Sequence, residues 1–283
     1  MKSTKKIISI DKLHPFENHP YKVQDNEEME VLAESIKEHG IVSPVIVRPL
    51  ENTIDEYEII SGHRRVMASR KAGITEVPAL IVSLDRDAAA IVLVDSNLHR
   101  EHILPSEKAF AYKMKLDAMK HQGWRSDLTS PQVVAKSRTT EMVGADTGDS
   151  HEQVRRYIRL TNLIPEILQY VDDGRISFTP AVELSYLNEQ EQQDLLEQIE
   201  QSDCTPSLSQ ACRFKKISQG EGLTPEVIAE IMEEEKANQK ERVKIPTEKL
   251  RKYFPKNYTV QQIEDEIIRL CEKNYRMKQR DAR

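Results

Sequence analysis

The sequence predicts an α+β unit at the N-terminal end, an all-α unit with a helix-turn-helix after it, and a helical C-terminal region. Three observations predict this order. Apolar runs of strand length are confined to the first ~95 residues. From Asp87 onward apolar residues recur at helical spacing instead. One stretch inside the first region, Tyr57 to Gly73, reads as strand, glycine turn and basic helix start.

Composition sets the bounds. At 283 residues the chain has room for two or three domains. Charged residues at 31% against aromatics at 5% favour a helix-rich protein with exposed charged faces. No apolar run approaches the roughly 20 residues that cross a bilayer. The opening MKSTKK has no apolar stretch behind it, so neither secretion nor membrane association through an amphipathic face is expected. Cys204, Cys212 and Cys271 lie far apart, as reduced thiols of a cytoplasmic protein would. A net charge of -6 argues against indiscriminate nucleic-acid binding, so any DNA reader must present a local basic surface.

Lys6 to Leu13 reads as a strand entering a loop marked by His14-Pro15 and His19-Pro20. A helix follows from about Asn26 to His39, with Met29, Leu32, Ala33 and Ile36 on one face and Gly40 as its C-terminal cap. Val45-Ile46-Val47 pairs with Tyr57 to Ile60 across the polar turn around Glu51-Asn52. Ser61-Gly62 breaks the apolar run, and His63-Arg64-Arg65 leads into a short helix ending near Gly73. Such a turn brings backbone N–H groups and a helix dipole to bear on an anion. The two arginines add forked donors suited to phosphate. By itself the pair also fits a solvated helix end. Val77 to Leu84 is a further strand.

Asp87 to Asp95 is a helical apolar segment, and Pro105 opens a long helix to about Gln122 with Glu107 in its first turn. Gly123 to Ser137 is polar and irregular. In TTEMVGADTGDSHEQVRRYIRL a short helix, Thr140 to Ala145, meets the turn Thr147-Gly148-Asp149. Ser150 is the N-cap candidate of a second helix, His151 to about Asn162. Val154, Ile158 and Leu160 then face inward, while Gln153, Arg155, Arg156 and Arg159 project outward. Two arrangements satisfy this pattern: a helical hairpin with a basic face, or a helix-turn-helix whose second helix enters a major groove. In the second, Gln153, Arg155, Arg156 and Arg159 are the DNA-contact candidates, with Ser150 or His151 near a phosphate.

Helices continue over Pro165 to Asp173, Pro180 to Leu187, Asn188 to Gln201 and Ser207 to Ile217. An acidic helix, Pro225 to Lys240, leads to a connection marked by Pro246. The last helix runs from Thr259 towards Met277 with a stripe of Val260, Ile263, Ile267 and Leu270, which suits packing within its own domain or dimerisation, the latter being the expectation. The expected domains are 1–95, 96–205 with the helix-turn-helix at about 139–162, and 206–283.

Together these segments resemble the ParB-type partition proteins (the ParB/RepB family) over roughly residues 6 to 200. Four stretches carry the resemblance: LAESIKEHGIVSPVIVRP (Leu32 to Pro49), IISGHRRVMA (Ile59 to Ala68), NLHREHILPSEKAFAY (Asn97 to Tyr112) and the helix-turn-helix ending in RRYIRL. LIPEILQYVDDGRISFTPAVELSYL is similar to the helical stretch that follows it in the family. Within the family the chain looks most like partition proteins of plasmids and integrative elements of low-GC Gram-positive bacteria.

The resemblance implies a ParB/sulfiredoxin-like N-terminal domain and a dimeric, CTP-gated clamp on double-stranded DNA, cytoplasmic and nucleoid-associated. It implies a palindromic centromere-like site, CTP with Mg²⁺, spreading to neighbouring DNA and a ParA-type ATPase as partner. Ser61, Gly62, His63, Arg64 and Arg65 fall on the family's phosphate box, and Gly40, Ser43 and Pro44 on the pocket lining. Asn97 and Arg100 fall on a second box, whose asparagine organises phosphates and Mg²⁺. No catalytic residue is carried over.

Departures bear on chemistry. His63 stands where the first box has glutamate, Ser96 where the second has glutamate, and His99 where it has glutamine. Pro20-Tyr21-Lys22 lacks the arginine that commonly follows the proline. Serine does not replace a carboxylate as general base or metal partner at neutral pH, and the side chain of the neighbouring Asp95 is expected to point elsewhere. The expectation is nucleotide binding with slow or absent hydrolysis, a weak CTPase at most. His63 would cap the helix or contact a phosphate, and His99 and His102 lack a third ligand at matching spacing for zinc.

Other readings stay open. A transcriptional regulator or nucleoid-occlusion factor uses the same scaffold. Sulfiredoxin chemistry would need a cysteine beside the phosphate-binding arginine, and a nuclease would need clustered carboxylates where this box is basic.

Overall fold

The computed structural model describes residues 3–100, 102–121, 140, 142–144, 147–220, 222–234, 253–255 and 258–281. The predicted connection Gly123 to Ser137, the end of the acidic helix and Pro246 lie outside the described residues. The chain forms two compact units, Met1–Glu234 and Glu235–Arg283.

The first unit begins with a five-stranded sheet. Its strands are β1 (Ser3–Ser9), β2 (Leu13–His14), β3 (Val45–Pro49), β4 (Tyr57–Ser61) and β5 (Glu76–Val82), in the order β1-β5-β3-β4-β2. The expected β3–β4 pair is antiparallel, with Val47 opposite Ile59, while β3 runs parallel to β5. The single strand expected over Lys6 to Leu13 is instead β1, a 3₁₀ turn over Ile10–Lys12, and β2. The reason is topological: β1 and β2 occupy opposite edges of the sheet, so the chain must cross its end between them. Ile10 N–H donates to the Thr75 carbonyl at 2.9 Å and pins the crossing.

Four helices flank the sheet: α1 (Glu27–His39), α2 (His63–Lys71), α3 (Arg86–Asp95) and α4 (Pro105–His121). Asn26 caps α1 and Asp85 caps α3, each accepting a backbone N–H of the first turn. Val45, Val47, Ile59, Val66 and Val77 form one core, and Met29, Ala33 and Ile36 of α1 close on Ala68 of α2. Ile60 and Val82 are buried with Leu93 and Val94 of α3 and Ala111 and Tyr112 of α4, in a core that continues to Val143 and Val154. Residues of the sheet therefore share one apolar core with Val143 and Val154 through α4.

Among the described residues the following helices include α5 (His151–Leu160), α6 (Pro165–Asp172), α7 (Phe178–Leu184), α8 (Glu189–Ser202), α9 (Leu208–Ser218) and α10 (Pro225–Glu233). They enclose a second core with Leu160, Ile167, Leu184, Leu195, Ile199 and Phe214. Helix α7 starts earlier than the expected Pro180, because Pro180 sits in its first turn, where a missing N–H leaves no bond unmade. Capping boxes at Asn188/Glu191 and Ser207/Gln210 start α8 and α9.

In the second unit α11 spans Val260–Asp281. Of its expected stripe, Ile263 is buried, Ile267 half-buried and Leu270 exposed, while the side chain of Val260 lies outside the described residues. Among the described residues no helix is long and apolar enough to cross a membrane.

Candidate nucleotide pocket and nucleic-acid interface

One residue, Gly62, separates the end of β4 from the start of α2. Its φ is +107°, and a Cβ there would lie 2.8 Å from Val45 Cγ1 and 3.0 Å from Arg65 Nη2. Backbone conformation and space both demand glycine. With no side-chain cap, the first N–H groups of α2 stay available to an anion.

They border a cavity of about 180 Å³ between three segments: the loop His19 to Val23, the turn Ser61 to Arg65, and Ser96, Asn97 and Arg100 after α3. That volume is below the ~300–1,000 Å³ of a complete small-molecule site, so it suits the phosphate end of a ligand. None of the described lining residues is a carboxylate.

The predicted residues play different parts. Arg65 donates to the carbonyls of Ser43 and Pro44, the latter at 2.9 Å, and burial lowers its pKa from the ordinary value. Ser43 and Pro44 thus hold Arg65 rather than line the cavity, and Gly40 ends α1 at φ +70°. Among the described residues Arg64 pairs with the exposed Glu28, at 3.0 Å, a pair that holds it weakly. Arg100 lies over the Tyr21 ring, 5.4 Å from its centroid. The Asn97 amide nitrogen donates to the Leu93 carbonyl at 2.7 Å, and no donor to its oxygen occurs among the described residues. Asp95 turns away, as expected, to Lys115 at 2.6 Å.

His63 corrects an expectation. It is the first residue of α2 and caps nothing: its Nε2 accepts the Phe16 N–H at 3.3 Å, and its ring lies 3.9 Å from that of His19. Burial, then His19 and Arg100, push its pKa down to about 3, so the ring is neutral with the proton on Nδ1. Burial also lowers the pKa of His19, whose Nδ1 faces the Tyr21 carbonyl at 2.7 Å. His19, Tyr21, Lys22 and Val23 were not among the predicted pocket residues. The signal available was their place in a proline-marked loop that departs from the family pattern. His99 and His102 are exposed, and no group of three potential metal ligands occurs among the described residues.

The DNA-reader candidate is built on α4. Lys108 pairs with Asp149 Oδ2 at 2.6 Å, and the buried Tyr112 hydroxyl meets Asp149 and Thr147, the latter at 2.7 Å. Burial pushes the Asp149 pKa up, but Lys108, Tyr112 and Thr147 outweigh it and leave the carboxyl below its ordinary value. Gly144 permits this tight turn, since a Cβ there would lie 2.3 Å from the Asp149 carbonyl oxygen. Ser150 caps α5 by accepting the Gln153 N–H at 3.2 Å, and His151 is its first, half-buried residue.

The expected outward projection of every polar candidate is corrected at two positions. Arg156 donates to Thr179 Oγ1 at 3.2 Å and lies over Phe178. Arg159 donates to the Ser185 carbonyl at 3.1 Å and lies 3.8 Å from the Tyr186 centroid. Both lean on the α7 region, while Arg155 is exposed and Gln153 half-exposed.

Fold and sites define a helix-turn-helix protein with a pocket lined by basic residues in an α+β domain. The chain belongs to the ParB family: the ParB N-terminal domain matches residues 1–98 and the ParB helix-turn-helix domain residues 132–211. The nucleoid occlusion protein of Listeria innocua serovar 6a is 31% identical over 196 residues, 69% of this chain and 62% of that protein. The probable chromosome 1-partitioning protein ParB of Deinococcus radiodurans is 35% identical over 175 residues, 62% of this chain and 53% of its own length. The chain thus spans less than two thirds of these relatives. Among solved structures, the C-terminally truncated ParB from Caulobacter crescentus complexed with CTP-γ-S is 26% identical at a TM-score of 0.33, covering 69% of this chain and 98% of that one.

Proposed function

We propose that this chain is a partition-type DNA clamp that holds CTP at the head of α2 and reads double-stranded DNA with α5. In this reading residues 1–95, completed by Asn97 and Arg100, bind nucleotide, 96–205 bind a palindromic centromere-like site, and 206–283 support a homodimer. A ParA-type ATPase is the proposed partner, on plasmid, mobile-element or chromosomal DNA.

One observation carries the nucleotide reading. Two segments far apart in sequence bring Arg64, Arg65 and Arg100 to one uncapped helix N-terminus, with no carboxylate among the described lining residues. That is an environment for a polyanion. CTP is the choice because the resemblance implies it and the Caulobacter relative was solved with CTP-γ-S.

For Mg²⁺ the fit is partial. The Asn97 amide oxygen suits one ligand position, and with no lining carboxylate described the remaining ligands would be water and phosphate oxygens, as Mg²⁺ tolerates. Bound there, the ion would neutralise phosphate charge.

Ser61, Gly62, His63, Arg64, Arg65, Asn97 and Arg100 are the proposed direct contacts, with Gly40, Ser43 and Pro44 shaping the wall behind Arg65. Hydrolysis is proposed to be slow or absent. A base with a pKa of about 3, whose lone pair already accepts the Phe16 N–H, is a poor proton acceptor for attacking water.

The test is nucleotide-dependent crosslinking between N-terminal domains of two copies on DNA carrying the native site. The reading expects crosslinks that need both CTP and that site. Crosslinking indifferent to CTP would remove the clamp. A second reading, nucleoid occlusion or regulation, draws on the Listeria relative. A neighbouring gene for a Walker-type ATPase would favour partition.

A further inference from the structure

Lys22 has two sets of partners in different parts of the fold. Lys22 is one of the residues that line the cavity at the head of α2. Its ammonium is nevertheless turned to α6, 3.2 Å from Asp172 Oδ2 and 3.2 Å from Gln169 Oε1. The Asp172 side chain is 1% exposed, that of Lys22 50%. Asp172 does not depend on Lys22, because it also accepts the Ser106 N–H at 2.9 Å and the Ser106 hydroxyl at 2.6 Å. The Lys22 backbone is fixed separately, its N–H donating to Glu107 Oε1 at 2.8 Å. A flexible stem on a fixed root lets the ammonium exchange partners without moving the loop.

We propose that Lys22 is a further phosphate ligand of the pocket, withheld by Asp172, so that a polyphosphate and α6 compete for one ammonium. The proposal rests on the nucleotide reading above. A polyphosphate carries more charge than one carboxylate, and lysine is a mobile point charge able to follow it. The carboxylate left behind keeps its two bonds from Ser106, so the exchange strands no unbonded buried charge. Linkage then requires the converse: polyphosphate binding loosens α6 from the pocket loop, and removing the competitor tightens polyphosphate binding.

The experiment is calorimetric titration of the full chain with CTP and, separately, inorganic tripolyphosphate. It compares wild type with Lys22→Met, Asp172→Asn and the double variant. Lys22→Met weakens both ligands by roughly tenfold, the size of one charge-assisted bond. Asp172→Asn tightens both by about two- to fivefold, since the pair it breaks is half-exposed. That gain vanishes in the Lys22→Met background. Should Asp172→Asn fail to fold, Gln169→Ala on the exposed side of Lys22 carries the same test with a smaller gain. Unchanged affinity in Lys22→Met overturns the proposal. So does a gain that persists in the double variant, because the carboxylate then acts on the anion directly. If wild type binds neither ligand, the nucleotide reading fails first and this proposal with it.

Discussion

At the head of α2, Arg64, Arg65 and Arg100 approach one cavity from two segments of the chain, and Arg64 is paired with an exposed glutamate. On α5, three arginines within five positions diverge: Arg156 and Arg159 lean on Phe178 and Tyr186, and Arg155 stays exposed. Helix phase alone does not explain the split: at about 100° per residue Arg159 lies about 40° from Arg155 and about 60° from Arg156. The partners decide it, because Thr179 and Phe178 draw Arg156, and Ser185 and Tyr186 draw Arg159, towards the α7 region. A count of arginines on a helix therefore says little until their partners are known.

The comparison can be broken first at Gly62. Gly62→Ala puts a Cβ against Val45 at a φ of +107° and should both destabilise the chain, by about 1–3 kcal/mol, and remove CTP binding. Thermal unfolding and calorimetry read the two effects, and retained CTP binding would show that the turn is not the phosphate site. Next come the arginines of α5. Arg155→Ala should weaken specific DNA binding by about 1–3 kcal/mol if it reaches a base, and lower the salt slope by about one if it touches phosphate instead. Arg159→Ala should weaken specific binding with the salt slope unchanged, because its partners are inside the domain.

Lys108→Met should act like Arg159→Ala but more mildly, through the Asp149 turn rather than through DNA. Arginine at 108 should restore binding, and a fall in salt slope would instead make Lys108 a phosphate contact.

A further effect is pH dependence at His63. The unfolded chain takes up this proton from about the ordinary pKa of 6.5 downward, whereas the folded chain resists it until about 3. The contribution is therefore fully present above 6.5 and declines as pH falls through that window. Denaturant midpoints of wild type and His63→Gln should draw together as pH falls, and a constant gap would mean that His63 does not titrate in this way.

The turn from Ser61 to Arg65 was legible because strand, glycine and helix start are adjacent in sequence. So was the capping by Ser150, which depends on a bond three residues away. Asn97 and Arg100 came only from family resemblance, since nothing local ties them to Gly62. The loop from His19 to Val23 was not legible as pocket lining. It has no hydrophobic period, and it is held by Glu107, 85 positions later, which receives the Lys22 N–H. The inward turn of Arg159 depends on Tyr186 and Ser185, 26 or more positions on, although the three-residue spacing from Arg156 already placed the two on one face. The break of the first strand at Ile10 reflects strand order, which no local pattern encodes.

The central claim is that a nucleotide binds at the head of α2. Backbone amide hydrogen exchange of the full chain, with and without saturating CTP, tests it most directly. The account predicts new protection concentrated in residues 19–23, 61–66 and 96–100. Protection elsewhere with these segments unchanged, or no change in any segment, would contradict it.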